Sequence, residues 1–516
     1  MSHGSPLLER WLALAPSFRP AVLDAHGAHP YSALVRSSRA VAAALLEGRA
    51  SLEGERVALL AEPGAAFVAG LYGAFLSGAC GLVLSPLHPA PEVAWFLKDG
   101  EVRTVLVSRA LRATLPPEAS TRRLLVLEDL LHGTPADTLP GLLPGAAALQ
   151  IYTSGTTGKP KGAVVTHGNL SWQQASLAEA WGMAASDVLL HCLPLHHVHG
   201  LAIALLNVLG VGGTARMMPT FGAAAAWDAL ADSTVFMAVP TLYAKLLAAL
   251  DAADADAQQR WTRAASNLRL STSGSAALPV SVAARWRALT GALPLERYGM
   301  TELGAVLSNP LDPAGRLPGH VGHPLPGVEL RVVDESGALA EVGELQVTGP
   351  CLFAGYHRRA EATAAAFAEA GGRRWFRTGD TVQRGEDGSV RILGRTSVDV
   401  LKSGGFKLSA LELEELLREH PAVAEVAVVG LPDETWGDRV VACVVPRPGQ
   451  AAACEEAALR EWAKGRVATY KVPRQVLCFE ELPRNALGKV VKPELVSAVR
   501  ARNAAAAAPA PRPTSS

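Results

Sequence analysis

The chain has no charge of either sign to spare. Lys+Arg and Asp+Glu both number 48 in 516 residues, so the formal net charge is zero. A nucleic-acid partner, which needs a basic face, is therefore not expected. The six cysteines (Cys80, Cys192, Cys351, Cys443, Cys454, Cys478) are scattered and form no CxxC. Neither a disulfide frame nor a zinc site is expected; reduced, mostly buried thiols are. No apolar run is long enough to span a bilayer without Gly, Pro or charge interrupting it. The first twenty residues lack the basic and apolar regions of a secretion signal, so a cytoplasmic protein without integral membrane association is expected. No internal repeat is visible. What remains is 49% hydrophobic and 19% charged, enough to order most of the chain in two or three domains.

The pattern is α/β. Apolar spacing predicts a helix over 31–47, and RVALL (56–60) reads as a buried strand. Further strand-like runs at 81–85, 104–108, 187–193, 234–239 and 268–272 alternate with helical stretches, which predicts mostly parallel, covered sheets. The large N-terminal part is expected to hold two α/β layered subdomains. After Pro318 the texture shifts to short β segments (328–333, 343–348, 381–384, 390–393), a smaller β-rich subdomain. From 395 to 500 the pattern predicts a small α+β domain, with a helix at 410–419, strands at 423–430 and 440–445, and a helix at 455–467. The domain boundaries are thus 1–394 and 395–500. Residues 501–516, rich in Ala and Pro, read as a disordered tail.

Four motifs carry chemistry. Tyr152-Thr-Ser-Gly-Thr-Thr-Gly-Lys-Pro-Lys-Gly162 packs four small-side-chain hydroxyls, three glycines and two lysines into eleven residues. Glycines let backbone N–H groups approach a polyphosphate, hydroxyls donate to it, and lysines neutralise it. The spacing is not that of a Walker A loop, because only two residues separate Gly155 from Gly158 and Pro160 follows Lys159. Arg297-Tyr-Gly-Met-Thr-Glu302 offers an aromatic ring to stack on adenine and a carboxylate for Mg²⁺. Thr378-Gly-Asp380 offers a carboxylate able to accept from two ribose hydroxyls, and Gly394-Arg395 follows it. Pro483-Arg-Asn-Ala-Leu-Gly-Lys489 sets a lysine, in isolation an ordinary surface charge, in a PxNxxGK context. His196-His-Val-His-Gly200 has three imidazoles, but no nearby Cys or carboxylate completes a metal site.

In this order, over about residues 30–495, the motifs resemble the adenylate-forming superfamily of acyl-CoA synthetases, luciferases and peptide-synthetase adenylation domains. The resemblance implies ATP and coenzyme A as co-substrates and Mg²⁺ as cofactor. It implies ATP binding by Thr153, Ser154, Gly155, Thr156, Thr157, Gly158, Lys159, Lys161, Tyr298, Asp380 and Arg395. It assigns catalysis to Lys489, Thr301 and Glu302, with Glu302 on the metal. Ser403-Gly-Gly-Phe-Lys407 matches the loop that enters the site for thioester formation, so Ser403, Gly404, Gly405 and Lys407 are expected near coenzyme A. The hinge falls at Ser397 or Asp399, since the segment is one residue longer than in many relatives.

The segments 296–302, 308–310 and 400–407 resemble the malonyl-CoA synthetase branch. A second carboxylate on the substrate must be neutralised, and arginine's planar fork does this bidentately. Arg297 is therefore the expected malonate clamp, set against a plainer reading in which it faces solvent or pairs with Glu296. The resemblance sets His199 or His196 at the wall of the acid pocket, and Ser275 is expected to bond substrate or nucleotide. The competing expectations are a medium- or long-chain fatty acyl-CoA synthetase, an adenylation enzyme loading a carrier protein in trans, and a nucleotide-binding regulator without catalysis. A monomer or homodimer is expected.

Overall fold

The computed structural model describes residues 4–153, 160–403, 406–464, 466–484 and 489–507. They form two compact units. The first takes the chain to Leu330, then Gln346–Arg377 and Gly388–Val390; the second takes Arg331–Leu345, Thr378–Asp387 and the described chain from Arg391 onward. The second unit thus gathers the expected C-terminal domain and adds two segments from the β-rich stretch.

The first unit is built on two sheets. One has nine strands, in the order His323–Pro324, Gly304–Ser308, Leu295–Met300, Leu270–Ser273, Val235–Ala238, Val188–His191, Thr214–Met217, Pro20–Asp24, Gly27–Pro30. Its interior pairings are parallel and its edges antiparallel. Buried on both faces, a parallel strand reads as continuous apolar sequence, which is why Val235–Ala238 (VFMA) is fully buried. The other sheet has seven strands, Gly355–Tyr356, Lys161–Thr166, Ala147–Thr153, Cys80–Val83, Arg56–Leu60, Thr104–Val107 and Arg123–Val126. Helix Ala65–Leu76 carries no charge and is almost wholly buried, as expected for a helix apolar on every face. Behind the large sheet, Trp227, Trp261 and Trp286 stack in one apolar cluster with Phe236 and Tyr243.

The second unit packs two layers of helix on one sheet. Strands Phe406–Ser409, Val400–Ser403, Gly437–Pro446 and Val423–Asp433 are neighbours, with Gln475–Cys478 parallel to Gly437–Pro446. Side chains alternate in period two. Val426 and Val428 join Leu413 and Leu417 of helix Ala410–Arg418 on one face. Ala427, Val429 and Leu431 join Leu495 and Val499 of helix Lys492–Ala507 on the other. That last helix corrects the expectation for 501–507. Alanine is the strongest helix former, and the low-complexity run extends the helix before it can fray; residues 508–516 lie outside the described residues.

Candidate active site

The phosphate-loop motif is carried by an antiparallel hairpin, Ala147–Thr153 with Lys161–Thr166, in which Thr153 is paired with Lys161. Ser154, Gly155, Thr156, Thr157, Gly158 and Lys159 lie outside the described residues, as do Gly404 and Gly405. The far edge of the hairpin pairs with Gly355–Tyr356. This edge strand brings in a residue that the sequence did not single out. Tyr356 donates its phenolic hydrogen to Oε1 of Glu302 at 2.7 Å, and Lys161 Nζ lies 5.3 Å from its ring centroid. Lys161, Tyr356 and the buried Glu302 are thereby one cluster, although they come from three separate segments.

Strand Leu295–Met300 presents Arg297 and Tyr298, then turns through Thr301 and Glu302 into Gly304–Ser308. The turn is tight: a side chain at Gly299 would meet the Gly304 carbonyl oxygen at 1.9 Å. Only glycine lets the two backbones approach this closely. The register shifts between Tyr298 and Gly299, and such a bulge re-aims the side chains around it. Tyr298 is half-buried.

Arg297 is 3% exposed, which rules out the solvent-facing reading. Burial pulls its guanidinium down to about 9, so it is a cation at neutral pH. Its Nε and Nη2 have no hydrogen-bond partner in the protein, and the hydroxyls of Thr272 and Ser273 on the adjacent parallel strand have none either. Glu296, its sequence neighbour, accepts from the Gly319 N–H at 3.0 Å. Buried donors left unmatched cost about 1–3 kcal/mol each, and more when charged, so a cluster of them marks a place where a ligand completes the bonding.

The loop after strand Leu270–Ser273 joins Arg297 to the histidine motif. Gly274 lies against the guanidinium, where an added Cβ would stand 2.5 Å from Cζ. Ser275, held at a left-handed φ of 69°, bonds His199 Nδ1 at 3.1 Å. His199 is buried at the start of a π-helical turn, His199–Leu205, a geometry frequent at functional sites. His196 packs instead on His88 and His197, at 4.9 and 4.0 Å between ring centroids. Burial, with His197 and His88 adding to it, drives His196 down to about 2, so it is neutral. Among the described residues, no group of three or more His, Cys, Asp or Glu has the geometry to hold a metal ion.

In the second unit, Asp380 and Arg395 are brought together. Arg395 Nε lies 3.1 Å from Asp380 Oδ1, and its Nη1 donates to the Thr378 carbonyl at 2.6 Å. Ser403 is buried on its strand, and Lys407 pairs with Lys402 across the Val400–Ser403/Phe406–Ser409 hairpin. Lys489 is exposed. It directly precedes Val490, which bridges Arg484, and Val491, whose N–H donates to the Pro483 carbonyl at 2.8 Å. Of the two hinge candidates, Ser397 is exposed and Asp399 is buried.

A sequence profile described as AMP-binding enzyme matches residues 8–357, and one described as AMP-binding enzyme C-terminal domain matches 412–489. A mitochondrial malonate–CoA ligase of Bos taurus is 42% identical, over 93% of this chain and 89% of its own. The crystal structure of ATP-bound MatB from Rhodopseudomonas palustris superposes with a TM-score of 0.88 at 32% identity, covering 97% of this chain and 99% of that one. A malonyl-CoA ligase in a ternary product complex with methylmalonyl-CoA and AMP is 38% identical, with a TM-score of 0.68, over 92% and 99% of the two chains. Among the described residues no helix is long and apolar enough to cross a membrane.

Proposed function

The chain belongs to the AMP-binding enzyme family, and from that premise we propose that it is a malonate–CoA ligase, converting malonate, ATP and coenzyme A to malonyl-CoA, AMP and pyrophosphate. The observation that carries the substrate is Arg297, a buried cation with two N–H groups unmatched by the protein. A small dicarboxylate supplies the missing charge and two acceptors at once. An apolar acid would leave the guanidinium buried and unpaired, at a cost of several kcal/mol. The malonate ligases among its relatives support the same substrate.

One malonate carboxylate is held by Arg297, with Ser275 on the loop beside it and His199 bonded to Ser275. The other attacks the α-phosphorus of ATP: an O–P bond forms, the bond to pyrophosphate breaks, and malonyl-adenylate results. We assign adenine to Tyr298, the polyphosphate to 153–161, the α-phosphate to Thr301, and the ribose hydroxyls to Asp380 and Arg395. Lys489 stabilises the charge that grows during adenylation. In the second half-reaction the coenzyme A thiol loses its proton and attacks the acyl carbon, and AMP leaves. The Ser403–Lys407 loop serves this step. We keep the boundary between the two catalytic domains at 394/395.

Glu302 fits magnesium as a lone protein carboxylate, since Mg²⁺ takes its remaining ligands from phosphate oxygens and water. Bound there, the ion would neutralise charge on the departing pyrophosphate. A reducing, cytosolic setting suits the six free thiols.

The test is a panel of acids in a coenzyme A thioester assay with wild type and Arg297→Ala. Malonate, or its methyl derivative, should be preferred and should lose most of its activity in the variant. A preference for an apolar monoacid would overturn the assignment.

A further inference from the structure

The second unit buries a lysine that the proposed reaction does not use. Lys492 opens the last helix, three residues after Lys489, and its Nζ sits between two carboxylates: Asp399 Oδ1 at 2.5 Å and Glu414 Oε1 at 2.6 Å. All three side chains are buried. A cation at a helix N-terminus opposes the helix dipole, so nothing local favours a lysine here.

Each carboxylate is tied onward. Glu414 Oε1 also accepts the Val428 N–H of the central sheet at 2.8 Å. Asp399 Oδ2 accepts the Arg395 N–H at 3.0 Å. One continuous bonded path therefore runs from the sheet through Lys492 to the backbone of Arg395. Burial alone would lower the Lys492 ammonium; Glu414 and Asp399 outweigh it and raise it, so the charge is kept. Burial pushes the Glu414 carboxyl up, against the pull of Lys492.

We propose that Lys492 is the positioning residue for Lys489, pinning the base of its loop through Asp399 to the turn that carries Arg395. The loop is closed at Val490 and Val491, and Lys492 is the next residue. With it anchored, the backbone that follows Lys489 is held to the fold at Val490, Val491 and Lys492. A purely apolar residue would seal the same space but could not bind Asp399 and Glu414 together. Because the device acts on the adenylation lysine, it rests on the reaction proposed above.

The experiment uses the full chain with Lys492→Met, Asp399→Asn and Glu414→Gln combined. This variant conserves volume, leaves no buried charge unpaired, and keeps an acceptor for the Arg395 N–H. ATP–pyrophosphate exchange is run with whichever acid the wild type activates, so a wrong acid sinks the substrate assignment and not the positioning role. The expected result is a melting temperature near that of wild type, an exchange kcat at least tenfold lower, and a KM for ATP within threefold. Thioester formation from supplied acyl-adenylate should stay within twofold. An unchanged exchange kcat would overturn the proposal, as would equal loss in both half-reactions. A wild type that exchanges with no acid would overturn both readings.

Discussion

Arg297 in the first unit and Lys492 in the second are both buried cations, and their surroundings are opposite. Lys492 meets two carboxylates within the fold. Arg297 is left with two N–H groups unmatched, beside two hydroxyls in the same condition. The first arrangement is complete within the fold; the second leaves donors that an anion would match. A buried charge is costly unless it is paired, so the difference separates a frame from a binding site without reference to any relative.

The sharpest way to break the comparison is to remove one partner from each. Lys492→Met alone leaves Asp399 and Glu414 facing each other in the interior and should cost about 5 kcal/mol of stability, read by denaturant unfolding. A loss near zero would mean that the triad is solvated and not a frame. Arg297→Met should do the reverse. It relieves an unpaired charge, so the free protein should be as stable as wild type or more so. Its kcat/KM for malonate should fall by about 4 kcal/mol, or ~10³-fold, for two charge-assisted bonds. A variant that is both less stable and fully active would reverse the two roles.

A third buried base avoids the problem by staying neutral. His167, with Nδ1 3.1 Å from Ser5 Oγ, is lowered by burial from 6.5 to about 4. The unfolded chain therefore takes up this proton first as the pH drops. Its contribution is fully present above pH 6.5 and is lost as the pH falls toward 4, about 3 kcal/mol in all. The melting temperature of His167→Gln should decline less steeply between pH 7 and 5 than that of wild type; parallel slopes would exclude the assignment. The smallest effect concerns Glu302, the carboxylate proposed to hold magnesium. Tyr356→Phe removes one hydrogen bond to Glu302, about 1 kcal/mol, and should raise the KM for magnesium-ATP roughly fivefold while leaving that for malonate unchanged.

What could be read from the sequence was whatever is local. Arg297, Tyr298 and Glu302 share one strand and its turn, so a contiguous motif exposed them together. Tyr356 and Lys492 act on partners 54 and 93 residues away, and no spacing rule links a lone tyrosine or lysine to such a partner. Strand–helix alternation announced layered α/β units. The strand order did not follow from it, because Pro20–Asp24 pairs with Thr214–Met217, a strand nearly two hundred residues further along the chain. The tail was misjudged at 501–507 because alanine repeats look featureless while being strongly helical.

Gly274 gives the acid pocket a lever of its own. A Cβ at this residue would stand 2.5 Å from the Arg297 Cζ, so the fork keeps its position only because the residue has no side chain. A single methyl group there would displace the fork and, under the proposed function, alter the room left for the acid. Evolution toward smaller or larger acids can therefore begin at a position that carries no side chain and touches no substrate.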